Sequence, residues 1–291
     1  MDAKPFLKWA GGKWSLAPRI RELLPFDIET RTYREPFVGG GAMYFYLVRN
    51  ARPKKAFLSD ALGDLIGTYR VVREETDDLV RHLTALNAAH SEETFYRVRK
   101  RFNTEQGASP VERAAWLIYL NKTCFNGLFR TNRDGEFNVP LGRFKKPAIL
   151  DEPRLRAAAE ALHGANLTNA PFEHLEKVAK KGDVIYFDPP YVPLSKTANF
   201  AAYADGVFSL YDQERLATLF RALDKRGCLL ALSNSDTPEV RDLYAGFQIE
   251  KIVAHRSISS KATERKPVGE VLVLNKKNPA WPKRTGKSKD R

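Results

Sequence analysis

Apolar positions along this chain recur with two periods. Short runs rich in β-branched and aromatic residues, bounded by turn residues, mark buried strands. Val184-Ile185-Tyr186-Phe187, entered through Lys181-Gly182-Asp183, is one such run. "KAFLSD", ending at Asp60, predicts a second, and "ANLTNA", "CLLALSNS", "QIEKIVAHR" and "GEVLVLN" predict others. "YREPFVGGGAMYFYLV" reads as strand, glycine loop and helix from Tyr33 to Val48. Helical periods fall at about Trp14 to Leu24, at 153–163, from a Ser209 cap to Gly227, and from Pro238. Such alternation predicts an α/β fold with a mainly parallel sheet.

Two stretches break the rhythm. Residues 61–120 are mostly helical by pattern and highly charged. Residues 121–147 lack a helical period and are rich in turn residues, arginine, lysine and phenylalanine; Arg133-Asp134-Gly135-Glu136 carries the Asp-Gly signal of a hairpin turn. The expected organisation is a discontinuous domain of 1–60 and 148–275, an insertion at 61–147, and a basic, mobile tail at 276–291.

The chain has 291 residues, is 43% hydrophobic and carries a formal net charge of +13. That length suits one large domain, or a core domain with an insertion. The charge attracts nucleic acid or an anionic membrane without naming either. The N-terminus has no signal-peptide core, and no apolar run has the length of a membrane span. Cys124 and Cys228 have no metal-ligand spacing. These features predict a reduced, cytoplasmic, metal-free protein.

Strand, glycine loop and helix, with an acid at the end of the next strand, is the logic of nucleotide-binding folds. Here the loop is Glu35-Pro36-Phe37-Val38-Gly39-Gly40-Gly41 and the acid is Asp60. The spacing is not that of the usual NAD fingerprint; it is the pairing of the loop with Asp60 that favours a nucleoside cofactor. In Asp188-Pro189-Pro190-Tyr191 the prolines cannot continue the strand that precedes them. Asp188 therefore ends that strand in a stiff turn. Its carboxylate and a proline carbonyl are two acceptors, which suit an exocyclic amine, and Tyr191 offers a face for stacking. A base in a duplex must leave the stack to reach such a cradle.

Together, "FLKWAGGK", "EPFVGGGA", "NGLFR", "GEFNVP" and "DPPYVPLSKTANFAAY" resemble the Dam-type adenine-N6 DNA methyltransferases, the alpha class or D12 family. The resemblance covers about 5–275. It implies a Rossmann-like methyltransferase sheet with an inserted, mostly helical recognition domain carrying a hairpin. It implies S-adenosylmethionine as cofactor, S-adenosylhomocysteine as product, no metal, and a monomer acting on double-stranded DNA in a bacterial nucleoid or phage-infected cell. By resemblance, Trp9 and Lys13 hold the methionine end of the cofactor, Gly39 and Gly41 let it sit close, Phe37 lines its site and Asp60 binds the ribose. Asp188, Pro189 and Tyr191 take the flipped adenine. Phe125 and Asn126 fill the gap it leaves. Leu128, Arg130 and Pro140 touch base edges, Arg143 and Phe144 hold the backbone, and Lys8 reaches the first guanine. These positions match members that methylate GATC.

One departure stands out. Family members usually carry an Asp-Phe pair whose acid bonds the adenine amino group of the cofactor; here the pair is Pro171-Phe172. Phe172 can still pack on that ring, and Glu173 and Asn169 are the candidates for the missing acid. Other classes remain open: an RNA adenine methyltransferase, a nucleotide-dependent oxidoreductase, and a DNA-binding protein with impaired catalysis. Asp188 argues against the protein-glutamine enzymes, which favour asparagine there.

Overall fold

The computed structural model describes residues 2–192, 208–252 and 269–275. The part of the Asp188 segment beyond Val192, the end of the strand expected to reach 256, the polar loop after it and the basic tail lie outside the described residues.

Seven strands form one sheet in the described residues. They are β1 (Thr32–Glu35), β2 (Lys55–Asp60), β3 (Ala165–Asn169), β4 (Val184–Phe187), β5 (Leu229–Ser235), β6 (Gln248–Ile252) and β7 (Glu270–Leu274). Their order is β3-β2-β1-β4-β5-β7-β6. The first five in that order run parallel, and β7 enters antiparallel between β5 and β6. All residues of β4 and β5 are buried, which explains their near-continuous apolar runs. Side chains alternate between two cores: Val184, Tyr186, Leu229 and Ala231 face one, while Ile185, Phe187, Leu230 and Leu232 face the other.

The helices are α1 (Ala17–Leu23), α2 (Ala42–Asn50), α3 (Gly63–Glu74), α4 (Thr76–Ala88), α5 (Glu92–Thr104), α6 (Pro110–Thr123), α7 (Glu152–Leu162), α8 (Leu175–Val178), α9 (Leu210–Arg226) and α10 (Pro238–Leu243). Ser209 caps α9 as expected: its Oγ accepts from the Asp212 N–H at 3.2 Å, and Gly227 closes the helix in the left-handed region at φ 85°. The turn Phe172–His174 leading into α8 has no counterpart in the sequence expectations, since so few residues show no period.

Packing is continuous across the expected boundary at residue 61. Helix α3 lies in the insertion by sequence, yet it packs on β2, β3 and α7 as well as on α4 and α6. Leu65, Ile66, Tyr69 and Val72 join the same core as Tyr33 and Leu58 of the sheet. Helix α6 is buried on nearly every side and forms the axis of the insertion. Beyond it, the hairpin tip forms where Asp-Gly predicts: Gly135 has φ 82°, and Asn132 pairs with Glu136 through its N–H at 2.9 Å.

Chain direction sets the location of the site. From β1 the chain passes to β2 on one side, and from β4 to β5 on the other. At such a switch point the crossing connections diverge and leave a crevice beyond the carboxyl ends of the two strands. Glu35 ends β1 there, and Asp188 follows β4.

Candidate active site

A cleft of about 580 Å³ opens at this switch point. Trp9, Lys13, Phe37, Gly39, Asp60, Asp188, Pro189 and Tyr191 all line it. Residues separated by as much as 182 positions are thus brought to one surface.

Asp188 sits at its floor with about a fifth of its side chain exposed, while Oδ1 is enclosed. The Lys13 ammonium lies 3.1 Å from that oxygen and 4.5 Å above the Tyr191 ring. Lys13 also donates to the Gly11 carbonyl, and beyond this ion pair Oδ1 has no hydrogen-bond partner among the described residues. Burial pushes the Asp188 carboxyl above the ordinary range, and the Lys13 charge opposes that rise.

The turn around Asp188 is held from behind. Gln213 of α9 donates to the Pro190 carbonyl at 2.8 Å. Asn234 of β5 accepts from the Val192 N–H at 3.2 Å and donates to Gln213 at 3.1 Å. Ser235 Oγ donates to the Val192 carbonyl at 2.9 Å, and the Tyr191 hydroxyl donates to Glu270 at 3.1 Å. None of these supports was singled out from the sequence, because their partners become neighbours only across the sheet.

Glu35 also lines the cleft and was missed as a site residue. It is buried beside Tyr33, whose hydroxyl donates to it at 2.8 Å. Burial first, and the neighbouring Asp188 charge after it, push its carboxyl up to about 8 against the pull of the Tyr33 hydrogen bond.

The glycine loop has two functions. Gly39 adopts φ 47°, and a Cβ there would meet the Trp9 ring at 2.8 Å. The loop thus closes on Trp9, which walls the cleft. Gly41 is not among the residues lining the cleft, and a Cβ there would meet the Tyr69 hydroxyl at 2.7 Å. Its φ of 69° and the packing of Tyr69 and Phe45 require glycine. Asp60 braces the same loop, accepting from the Gly39 N–H at 3.1 Å and the Leu62 N–H at 3.0 Å. Each carboxylate oxygen keeps a second lone pair for a hydroxyl.

Phe172 stands one layer back, stacked on Phe37 at 5.5 Å, and does not line the cleft itself. Both candidates for the missing acid already make contacts, though those of Asn169 use only its amide nitrogen. Glu173 is ion-paired with Arg215. The Asn169 amide donates to the carbonyls of Asp60 and Ala61 at 2.9 and 3.0 Å.

The insertion brings its candidates to a neighbouring surface. Phe125 and Phe144 are among the exposed large apolar residues, and Lys8 places its ammonium 3.9 Å from the Phe144 ring. Asn126 is the one non-glycine residue with positive φ among the described residues, at 54°. The Phe125 N–H pairs with the Pro140 carbonyl at 2.9 Å, so the two strands of this surface are joined beside Leu128. Arg130 donates from Nε to Asn138 at 2.8 Å, which leaves its two Nη groups to the outside. Arg143 is exposed. Phe129 is the surprise: it lines the cleft rather than this surface.

Comparisons with known proteins identify the family. Residues 9–258 match the model of the D12 class N6 adenine-specific DNA methyltransferases. The chain is 42% identical over 288 residues to the type II methyltransferase M.MjaIII of Methanocaldococcus jannaschii, covering 94% of this chain and 100% of that one. It is 40% identical to a DNA adenine methylase of Serratia marcescens, covering 93% and 98%, and 37% identical to that of Escherichia coli K12, covering 94% and 95%. Among solved structures, an rRNA methyltransferase of Streptomyces viridochromogenes aligns over 89% of this chain and 83% of that one at 14% identity, with a TM-score of 0.35 too low to carry weight. With its family model spanning most of the chain and relatives matched nearly end to end, the chain belongs to the D12 class of N6 adenine-specific DNA methyltransferases.

Proposed function

We propose that this methyltransferase binds S-adenosylmethionine in the cleft and methylates N6 of an adenine extruded from duplex GATC. The observation that carries the reading is the enclosed Asp188 Oδ1, an acceptor with no hydrogen-bond partner among the described residues beyond the Lys13 ion pair, at the base of a cleft walled by Tyr191. Gln213 occupies the Pro190 carbonyl, so Pro189 is the proline whose carbonyl serves beside Asp188.

An exocyclic amine conjugated to a purine ring is a poor nucleophile. Two acceptors, one for each N–H, favour a pyramidal nitrogen with a localised lone pair. Tyr191 stacks on the ring and fixes its plane, and its own hydroxyl is anchored by Glu270. When bound, S-adenosylmethionine supplies an electrophilic methyl group on a sulfonium. The residues present fit it: Trp9 and Lys13 at the methionine end, Asp60 for ribose hydroxyls, and Phe37 backed by Phe172 for the adenine.

On the recognition side, Phe125 and Asn126 fill the gap in the duplex. Leu128, Arg130 and Pro140 read base edges, Lys8 reaches a guanine, and Arg143 and Phe144 hold the backbone. Arginine's donor fork suits guanine in the major groove, and apolar groups suit the thymine methyl. Incubating unmethylated plasmid with S-adenosylmethionine and mapping modified adenines by sequencing tests this. N6-methyladenine confined to GATC is expected; adenine methylation elsewhere would refute the sequence assignment alone.

A further inference from the structure

The recognition insertion and the cofactor cleft share a wall. Phe129 belongs to the insertion by sequence, between Leu128 and Arg130, yet its side chain lines the cleft. Its ring stacks on Trp9 at 5.8 Å with planes 18° apart. Behind it lies Phe137, fully buried beneath the hairpin, at 5.6 Å. Trp9 in turn abuts Gly39 and Gly40 of the cofactor loop.

The backbone around this pair is sutured as well. Asn121, near the end of α6 and almost wholly buried, accepts from the Lys8 N–H at 2.8 Å. Its amide donates to the Lys8 carbonyl at 2.6 Å and to the Gly127 carbonyl at 3.1 Å. Gly127, in the left-handed region at φ 63°, lies so close to Lys8 that a Cβ would meet its side chain at 2.5 Å. The segment holding Trp9 therefore cannot shift without displacing the segment that runs from Phe125 to Arg130.

We infer that Phe129 is a cofactor-contacting residue supplied by the recognition insertion, and that cofactor affinity and the insertion's engagement of DNA are thereby linked. This rests on the reading of the cleft as the S-adenosylmethionine site. An aromatic wall removed from one end of that site weakens the ligand's packing. Whatever fixes the 125–130 segment on DNA also fixes the wall. By thermodynamic reciprocity, each ligand then changes the affinity of the other by the same factor.

Calorimetric binding of S-adenosylhomocysteine to wild type, Phe129→Ala and Phe129→Tyr tests this, with and without a duplex carrying the site wild type is found to methylate. Phe129→Ala should weaken S-adenosylhomocysteine by about tenfold, and Phe129→Tyr should restore most of it. The duplex should tighten S-adenosylhomocysteine on wild type and do so less on Phe129→Ala. In turnover, Phe129→Ala should raise KM for S-adenosylmethionine more than it lowers kcat. Unfolding midpoints and duplex affinity of the free variants check that the fold is intact. A wild type that does not bind S-adenosylhomocysteine refutes the cleft assignment. A folded Phe129→Ala that binds it within twofold of wild type refutes the role of Phe129. Equal affinity with and without duplex on wild type refutes the linkage.

Discussion

The side chains of the cleft act through what burial does to their charges. On the proposed reading, Asp188→Ala removes one of two acceptors for the amine and leaves the phosphate contacts alone. Methyl transfer should fall by on the order of 10²-fold or more, with duplex affinity nearly unchanged. Single-turnover rates beside binding isotherms check this, and near-normal turnover would remove Asp188 from catalysis. Glu35 makes a different prediction. Burial pushes its carboxyl up to about 8 in the fold, against an ordinary value near 4.5. The folded state therefore holds a proton that the unfolded chain releases between these values. The stabilisation is fully present below about 4.5 and is lost as pH rises towards 8. Glu35→Gln keeps an acceptor for Tyr33 and removes the titration. Between pH 5 and 8, wild type should lose on the order of a few kcal/mol more stability than the variant. Denaturant unfolding across that range measures it; parallel curves would show that Glu35 stays ionised.

At the scale of elements, each part of the site is held by a neighbouring element. Helix α9 and strand β5 lock the Asp188 turn through Gln213 and Asn234. The hairpin orients Arg130 through Asn138. Replacing Arg130 by Ala should relax discrimination at one outer base pair by about 1–3 kcal/mol. The requirement for the target adenine should persist, because the proposed reading places that base in the Asp188 pocket. Asn138→Ala should relax the same base pair to a smaller extent, since the guanidinium remains but is no longer braced. Methylation rates on duplexes substituted one pair at a time decide the matter. A uniform loss on every duplex would make Arg130 a phosphate clamp.

The whole molecule carries its net charge of +13 unevenly, and residues 276–291 hold seven basic residues against one acidic. Deleting them should weaken binding to all duplexes alike and flatten the dependence of affinity on salt, because fewer counterions are released. An unchanged slope across a salt titration would show that the tail makes no phosphate contacts. Among the described residues no helix is long and apolar enough to cross a membrane.

The sequence by itself determined the strands, the glycine loop and the motif at Asp188, because these depend on local features. Apolar runs of four to seven residues, prolines that end a strand, and an Asp-Gly turn act within a few residues of themselves. Lys13 and Asp60 were legible only through motifs, since a lone lysine or a lone aspartate carries no period. Only the tertiary structure decided what depends on contacts across the sheet or between the sheet and the insertion. It placed β7 antiparallel between β5 and β6, and made α3 part of both the insertion and the core. It gave Gly41 to Tyr69 and Phe45, set Phe172 behind Phe37, paired Glu173 with Arg215 and anchored the Asn169 amide nitrogen on β2. It also drew Glu35 into the cleft and turned Phe129 from the recognition surface onto Trp9. The physical reason is the same in each case. A side chain's role follows from the atoms that desolvate it and the partners that satisfy it, and most of those here come from elements far apart in the sequence.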